Sequence, residues 1–281
     1  MLVALAGLGA RLGEIPAVIV AAALVPALGF AGLVLFVGRR ERETWAPVAT
    51  ALLWGGTVAA VAAFTLNEAA LRAAAEHPAR VLVPRLVAPI VEELSKASAL
   101  VVVAFAWRRT LTGVRDGIVY GALAGLGFAA TENLGYYTLA AVQGGAPGLA
   151  RALYIRGVLQ GLNHAAFTAT TGAAVGAALG RVGRSHATGA RREMGVRDGV
   201  GAGGIVVAGL ALAVAVHAVW NALGSEVLAR VLCGAPLPEA PCAPAPHPID
   251  LLVTAPVVVA AVTGPLVVLL LGLALRGPPD P

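Results

Sequence analysis

The segment Leu86–Trp107 reads LVAPIVEELSKASALVVVAFAW, an apolar run with three charged residues in its first half. About twenty apolar residues suffice for a helix to cross the hydrocarbon core of a bilayer, so this segment predicts a transmembrane helix. The chain has about seven such stretches, separated by short polar loops. We therefore predict an all-α polytopic membrane protein, one integral membrane domain over residues 1–281, with spans at Ile15–Val37, Pro47–Leu66, Leu86–Trp107, Asp116–Val142, Leu153–Gly180, Gly199–Leu223 and Ile249–Leu275.

The composition agrees with this class. Hydrophobic residues make up 58% of the 281 residues and charged residues only 12%, and the mean hydropathy is +0.84. A soluble domain carries about 25% charged residues. This chain could not cover a water-exposed surface with polar side chains, which excludes a soluble globular enzyme.

The basic residues predict the orientation in the membrane. All but one are arginines, and most of these follow the first, third and fifth spans: Arg39, Arg40, Arg42, Arg108, Arg109, Arg115, Arg181, Arg184, Arg191, Arg192 and Arg197. Because positively charged loops stay in the cytoplasm, we expect the N-terminus outside and the C-terminus in the cytoplasm of a bacterial cell. This topology explains the formal net charge of +5 without a nucleic-acid partner. The short apolar start, Met1–Ala10, is expected to stay uncleaved.

The proline-rich loop over residues 224–248 is predicted to be extracytoplasmic. It holds both cysteines of the chain, Cys233 and Cys242. Disulfides persist outside the cytoplasm, so a Cys233–Cys242 bridge can form there.

Ionisable and amide side chains interrupt the third to sixth spans. A charge at the middle of a bilayer costs about 2.5–3.5 kcal/mol even on insertion scales, which favours a functional role. Counted from the outer ends of the spans at 1.5 Å per residue, Glu92, Glu132, His164 and His217 all lie roughly 9–17 Å deep. We expect a polar site between helices three to six, in a core over residues 84–224, formed by Glu92, Glu93, Lys96, Glu132, Asn133, His164, His217 and Asn221.

Helical spacing predicts that these residues face neighbouring helices. Glu92 and Lys96 are four residues apart, as are His217 and Asn221, so each pair shares a helix face. The same spacing relates two series of glycines, which permits close helix packing in membranes: Gly117, Gly121 and Gly125, then Gly172, Gly176 and Gly180. The polar residues are therefore predicted to face packed interfaces or a cavity between helices.

A carboxylate beside imidazoles in a restricted cavity can activate water. In one interpretation Glu92 or Glu93 accepts the proton of the water, His217 and Asn221 donate to the oxyanion of a tetrahedral intermediate, and Lys96 keeps the glutamates charged. In the other, zinc or another divalent metal with an open water position is held by these residue types: Glu92, Glu93, Glu132, His164 and His217. The residues do not choose between the two interpretations, nor between Glu92 and Glu93.

Four short motifs, each on its own predicted span, carry a family resemblance. They are E-E-x-x-K at Glu92–Lys96, F-x-x-x-E-N at Phe128–Asn133, N-H-x-x-x-T at Asn163–Thr168 and H-x-x-x-N at His217–Asn221. In this order they resemble the PrsW family of intramembrane proteases, which is related to the CAAX prenyl proteases and their bacterial Abi relatives. The resemblance covers about residues 84–224, half of the chain.

The resemblance implies cleavage of a membrane-anchored protein on the extracytoplasmic side, in the best-known case an anti-sigma factor in a stress-signalling cascade. It implies that Glu92, Glu93 and His164 are essential and that Glu132, His217 and Asn221 complete the site. The prenyl proteases have a histidine where this chain has Glu132, so a prenylated substrate is less favoured.

Other classes of membrane protein make different demands on the sequence. There is no H-E-x-x-H motif of a site-2 metalloprotease and no G-x-S-x-G serine, and Asp116 and Asp198 lie at predicted cytoplasmic span ends, unlike an aspartyl pair. Two alternatives to proteolysis remain. One is a proton-coupled transporter, because Glu and His chains also carry protons, although the sequence shows no inverted repeat. The other is a catalytically inactive scaffold that binds membrane proteins.

Overall fold

The computed structural model describes residues 17–38, 44–107, 109–187, 196–224, 226–228, 230 and 247–276, with side chains except at 182–199. Every regular element in this part of the chain is helical, which confirms the predicted all-α class. The α-helices are α1 Ala17–Gly38, α2 Trp45–Trp54, α3 Ala60–Ala73, α4 Ala88–Ala106, α5 Val114–Ala152, α6 Asn163–Ala187, α7 Val196–Val219 and α8 Ala255–Arg276.

Short π-helical turns adjoin several of these helices. They are Gly55–Ala59 between α2 and α3, Val83–Val87 before α4, Leu153–Leu159 after α5, Trp220–Gly224 after α7 and Asp250–Thr254 before α8. A π-helical hydrogen bond joins residue i to residue i+5, so the side chains beyond the turn leave the register of an α-helix. Two residues of the site described below, Arg156 and Asn221, lie in such turns.

Helices α5 and α6 pack along their glycines, as predicted. A Cβ at Gly117 would overlap the carbonyl oxygen of Gly172, and a Cβ at Gly125 would overlap that of His164. A Cβ at Gly121 would lie 2.6 Å from the carbonyl oxygen of Thr168. Small residues at such positions let two backbones approach closely. The backbone that carries His164 is thereby held against α5.

Four described helical stretches are long and apolar enough to cross a membrane: Ala17–Gly38, Trp45–Ala73, Val200–Leu228 and Asp250–Leu275. The other three predicted spans coincide with α4, α5 and α6, which carry ionisable residues and glycines and are therefore less apolar. Helix α5 is buried at every position from Gly117 to Ala130, so this part of it needs no lipid-compatible surface. These helices indicate that the chain is an integral membrane protein. The count of seven spans stays a prediction.

The structure moves two predicted boundaries. Helix α5 runs to Ala152, ten residues beyond the predicted end at Val142, with a kink at Gly145. The φ of Gly145 is 61°, a conformation that glycine adopts without steric cost. The predicted fifth span begins at Leu153, whereas α6 begins at Asn163 after a π-helical turn.

Some predicted features lie outside the described residues. Two of them are the cysteines of the predicted disulfide, Cys233 and Cys242, and another is the segment Met1–Ala10. The others are loop arginines: Arg39, Arg40, Arg42, Arg108, Arg191 and Arg192. The disulfide and the orientation across the membrane therefore stay predictions.

Candidate active site

Helix α4 brings Glu92, Glu93 and Lys96 into the interior of the helical bundle. Their exposed fractions are 6%, 0% and 0%. Spacings of three and four residues place Lys96 one turn beyond both glutamates. Its Nζ lies 2.5 Å from Glu93 Oε1 and 3.9 Å from Glu92 Oε2, so one ammonium group compensates two carboxylates unequally.

The Glu93 carboxylate is surrounded by hydrogen-bond donors from three helices. Besides Lys96 on α4, His217 Nδ1 on α7 donates to Oε1 at 2.9 Å, and Thr168 Oγ1 on α6 donates to Oε2 at 2.9 Å. A buried carboxylate is tolerated when it is paired and hydrogen-bonded in this way. Glu93 therefore links α4, α6 and α7.

The neighbouring Glu92 carboxylate is much less well satisfied. Its Oε1 accepts a long hydrogen bond of 3.3 Å from Asn67 Nδ2 on α3. Its Oε2 is buried and has no hydrogen-bond partner among the described residues, and it lies 3.8 Å from His217 Nε2. An unsatisfied buried carboxylate oxygen is costly, so this atom is suited to receive a proton, a water molecule or a cation.

Glu132 on α5 contacts the second histidine, His164. Its Oε2 accepts a hydrogen bond from His164 Nε2 at 2.9 Å and one from Arg156 Nη2 at 2.7 Å. On the opposite side of the ring, Lys96 Nζ lies 3.0 Å from His164 Nδ1. Because an ammonium group can only donate, Nδ1 is the acceptor and the ring proton lies on Nε2.

His217 is oriented by a carboxylate in the same manner. Its Nδ1 donates to Glu93, its Nε2 faces Glu92, and its ring stacks on Phe167 with centroids 4.8 Å apart. The rings of His164 and His217 lie 5.2 Å apart at an interplanar angle of 87°. Two imidazoles thus adjoin the Glu92 carboxylate.

Asn221 lies just beyond the helix that carries His217. Helix α7 ends at Val219, and Asn221 lies in the π-helical turn that follows. Its Nδ2 donates to the carbonyl oxygen of Pro84 at 3.0 Å. Both His217 and Asn221 line the same cavity, and the shared face that their spacing predicted stays a prediction.

A cavity of about 1040 Å³ reaches the cluster, which is one of the two arrangements that the helical spacing predicted. Small-molecule pockets in proteins have volumes of about 300–1,000 Å³, so this cavity has room for a short peptide segment. Phe64 and Trp220 contribute apolar walls. The polar lining includes Glu92, Glu132, Asn133, Arg156, His164, His217 and Asn221.

Glu92, His164 and His217 have the donor types and proximity of a divalent-metal site. One ligand atom of each lies within 4.8 Å of those of the other two, and two histidines with one carboxylate is a common catalytic zinc set. Glu93 and Glu132 contact the opposite nitrogens of the two rings, as carboxylates behind metal-binding histidines do. The residues therefore fit a metal, provided that Lys96 leaves His164 Nδ1.

Three residues that hold this cluster together were missed by the sequence prediction. Arg156 lies inside the predicted fifth span, where burying its charge is energetically costly. That cost could have marked Arg156 as a candidate site residue. Asn67 lies one residue beyond the predicted end of the second span at Leu66, whereas α3 continues to Ala73. Thr168 stands in the quoted N-H-x-x-x-T motif, but no role was predicted for it.

The comparisons with known proteins agree with the motifs. Comparison with curated proteins and with solved structures gave no significant match. A family model described as PrsW family intramembrane metalloprotease matches residues 43–262, which include every residue of the cluster and far more than the motif region. The chain therefore belongs to the PrsW family and is an intramembrane protease.

Proposed function

We propose that the chain hydrolyses a peptide bond of a membrane-anchored protein near the outer face of the membrane, with Glu92 as the residue that activates water. The contrast between two adjacent carboxylates carries this proposal. Glu93 accepts hydrogen bonds from three buried donors, whereas Glu92 lines the cavity and has an oxygen without a partner. A general base needs an acceptor within reach of the water, and Glu92 meets this condition better.

The charges of the cluster support the same assignment. Glu92, Glu93 and Glu132 contribute three negative charges, whereas Lys96 and Arg156 contribute two positive charges. The cations make their shortest ion pairs with Glu93 and Glu132, so the excess negative charge falls on Glu92. An uncompensated buried charge is strongly unfavourable, which suits Glu92 to take up a proton or a divalent cation.

The proposed reaction uses the residues around the cavity in turn. A water molecule beside Glu92 and His164 loses a proton to Glu92 while its oxygen attacks the carbonyl carbon of the scissile bond. Glu92 then passes this proton to the amine nitrogen as the C–N bond breaks. We propose that Asn221 and His217 stabilise the oxyanion. His217 can do so only as the doubly protonated imidazolium, because its Nδ1–H is bonded to Glu93 and Nε2 carries a hydrogen to donate only in that form.

A divalent metal held by Glu92, His164 and His217 would, when bound, polarise the substrate carbonyl and make a bound water more acidic. Glu93 and Glu132 keep the same part in this case, because they orient the two imidazole rings. Lys96 continues to compensate the charge of Glu93, at 2.5 Å.

We infer that the site belongs to a seven-span protein of the bacterial cell membrane, with the N-terminus outside and the C-terminus in the cytoplasm. The distribution of arginines supports this orientation. The proposed catalytic core is residues 84–224, assisted by Asn67, and the loop over residues 224–248 is extracytoplasmic. The family resemblance supports an anti-sigma-factor-like substrate and a role in regulatory proteolysis.

The membrane proteomes of cells that express the wild-type protein or Glu92→Gln test this function. We expect cells that express Glu92→Gln to accumulate a single-pass membrane protein that the wild-type protein cleaves. In liposomes, purified Glu92→Gln should not cleave that membrane protein. Glu68→Gln is the matched control, because Glu68 lines the same cavity but pairs with Arg72, and its substitution should leave cleavage unchanged. Undiminished cleavage by Glu92→Gln would overturn the proposal.

Metal analysis of the purified protein distinguishes the two ways of activating water. Full activity in a chelator, with no metal bound, would leave Glu92 alone as the base. Loss of activity that returns with added zinc would assign Glu92, His164 and His217 as ligands.

A further inference from the structure

We propose, on the basis of the function proposed above, that Arg156 is a positioning residue: it sets the orientation and the tautomer of His164 through Glu132. Arg156 lies outside the four sequence motifs. Its contacts nevertheless place it directly behind a carboxylate of the site.

The guanidinium of Arg156 is fixed by three side chains of α5. Nη2 donates to Glu132 Oε2 at 2.7 Å, and Nε donates to Asn133 Oδ1 at 2.8 Å. The guanidinium carbon lies 3.6 Å from the centroid of the Tyr136 ring. A planar guanidinium can satisfy two acceptors and stack on a ring at the same time, which an ammonium group cannot do.

The path of the chain explains how Arg156 reaches α5. Arg156 lies in the π-helical turn Leu153–Leu159, which connects the end of α5 to the segment before α6. Glu132 and Tyr136 are four residues apart and share a face of α5. The side chains of Arg156 and Glu132 are 22% and 11% exposed, so water screens their interaction only in part. Charge-assisted hydrogen bonds are the strong ones.

Arg156 and His164 share a single acceptor atom, Glu132 Oε2. The guanidinium on this atom fixes the orientation of the carboxylate against His164 Nε2. The ring proton is then held on Nε2, and Nδ1 stays an acceptor on the side of Lys96. Without Arg156, the Glu132 carboxylate is free to turn away from the ring, and His164 can adopt either tautomer.

Purified full-length protein with ¹⁵N-labelled histidine tests the proposal without any substrate. The nitrogen shifts of imidazole distinguish the two tautomers, and the His164 signals are those lost in His164→Gln. We expect the Nε2–H tautomer in the wild type, a mixture in Arg156→Gln and an intermediate result in Arg156→Lys, which keeps the charge but not the planar fork. The matched control is Arg151→Gln, which lies in the last turn of α5 and lines the same cavity, and it should give wild-type signals.

Asn133→Ala keeps the test decisive if Arg156→Gln does not fold, because it removes one of the two acceptors and spares the ion pair. Its His164 signals should move toward the mixture. In a cleavage assay we expect Arg156→Gln to lower kcat about 10- to 100-fold with little change in KM, as for residues behind metal or catalytic histidines, and Arg156→Lys to recover part of the loss.

The positioning role would be overturned if the His164 nitrogen shifts in Asn133→Ala, and in Arg156→Gln where that variant folds, were the same as in the wild type. This holds whatever the activity of the variants. A wild-type protein with the expected signals that cleaves no membrane protein would instead overturn the proposed function.

Discussion

The site contains two carboxylate–histidine pairs that are built differently. In the inner pair, Glu93 and His217 are 0% and 3% exposed, and the compensating cation, Lys96, comes from the same helix as Glu93. In the outer pair, Glu132 and His164 are 11% and 12% exposed and line the cavity, and the cation comes from a separate turn. Both histidines line the cavity, whereas of the two carboxylates only Glu132 does. The difference teaches that similar carboxylates have different tasks: Glu93 joins helices in the interior, and Glu132 is also open to a substrate.

Loss of the inner cation should have the largest effect. Lys96→Met leaves Glu93 buried with its charge uncompensated, which costs about 3–5 kcal/mol for a broken buried pair. We expect a large fall in the unfolding temperature in detergent, together with loss of cleavage. Arg72→Met removes an exposed ion pair with Glu68 and should change neither. An unchanged unfolding temperature in Lys96→Met would show that the inner pair is not structural.

Widening the contact between α5 and α6 should have the next largest effect, because the outer pair spans this contact. Gly125→Ala would place a methyl group against the backbone of His164, and such overpacking costs about 1–3 kcal/mol. We expect lower stability and a loss of cleavage. Gly144→Ala on the same helix meets no atom within 4 Å, so equal effects of the two substitutions would contradict the close packing. Thermal unfolding and cleavage in liposomes measure both.

Thr168→Val tests the inner pair more gently. It removes one of the three donors to Glu93 while it keeps the shape of the side chain, and we expect a destabilisation of about 1–2 kcal/mol. Thr170→Val is a matched control on α6, because Thr170 bonds only the carbonyl oxygen of Ala166 in its own helix. Denaturant unfolding in mixed micelles measures the difference, and a Thr170→Val effect as large as that of Thr168→Val would contradict it.

Asn67→Ala should have the smallest effect, on activity alone. The hydrogen bond from Asn67 to Glu92 is long at 3.3 Å, so its loss should reduce cleavage a few-fold and leave stability within about 0.5 kcal/mol. Thr65→Ala on the same helix is the control, since Thr65 bonds the backbone carbonyl of Val61. Complete loss of cleavage in Asn67→Ala would mean that Glu92 depends on α3 for its position.

Most residues of the site could be predicted from the sequence. A charged side chain inside a membrane span is energetically costly, so such residues pair with one another in the interior of the bundle. Glu92, Glu93 and Lys96 were recognisable as charges inside a span, and Glu132, His164 and His217 by their similar predicted depth. The structure brings all six together. The glycine spacing predicted closely packed helix faces for the same kind of local reason, and the structure shows that α5 and α6 pack along them.

The partners within the cluster could not be read in the same way. Arg156 reaches Glu132 from one π-helical turn, and Asn221 bonds the carbonyl oxygen of Pro84 from another. Neither turn has a recognisable sequence pattern. The distinction between Glu92 and Glu93 depends on which donors from α6 and α7 arrive at each carboxylate. These contacts depend on how distant segments of the chain pack in three dimensions, whereas residue spacing along one helix can be read from the local sequence.

The π-helical turn Leu153–Leu159 has a consequence for insertions and deletions. Successive residues of a helix lie about 100° apart around its axis, so deletion of one residue between Ala152 and Arg156 would move Arg156 to the preceding position and onto another face of the turn. Arg156 would then point away from Glu132 although the arginine itself is still present. The placement of this guanidinium depends on the length of the chain between α5 and α6 as much as on the residue type, and a single-residue deletion would remove it from the site without any substitution.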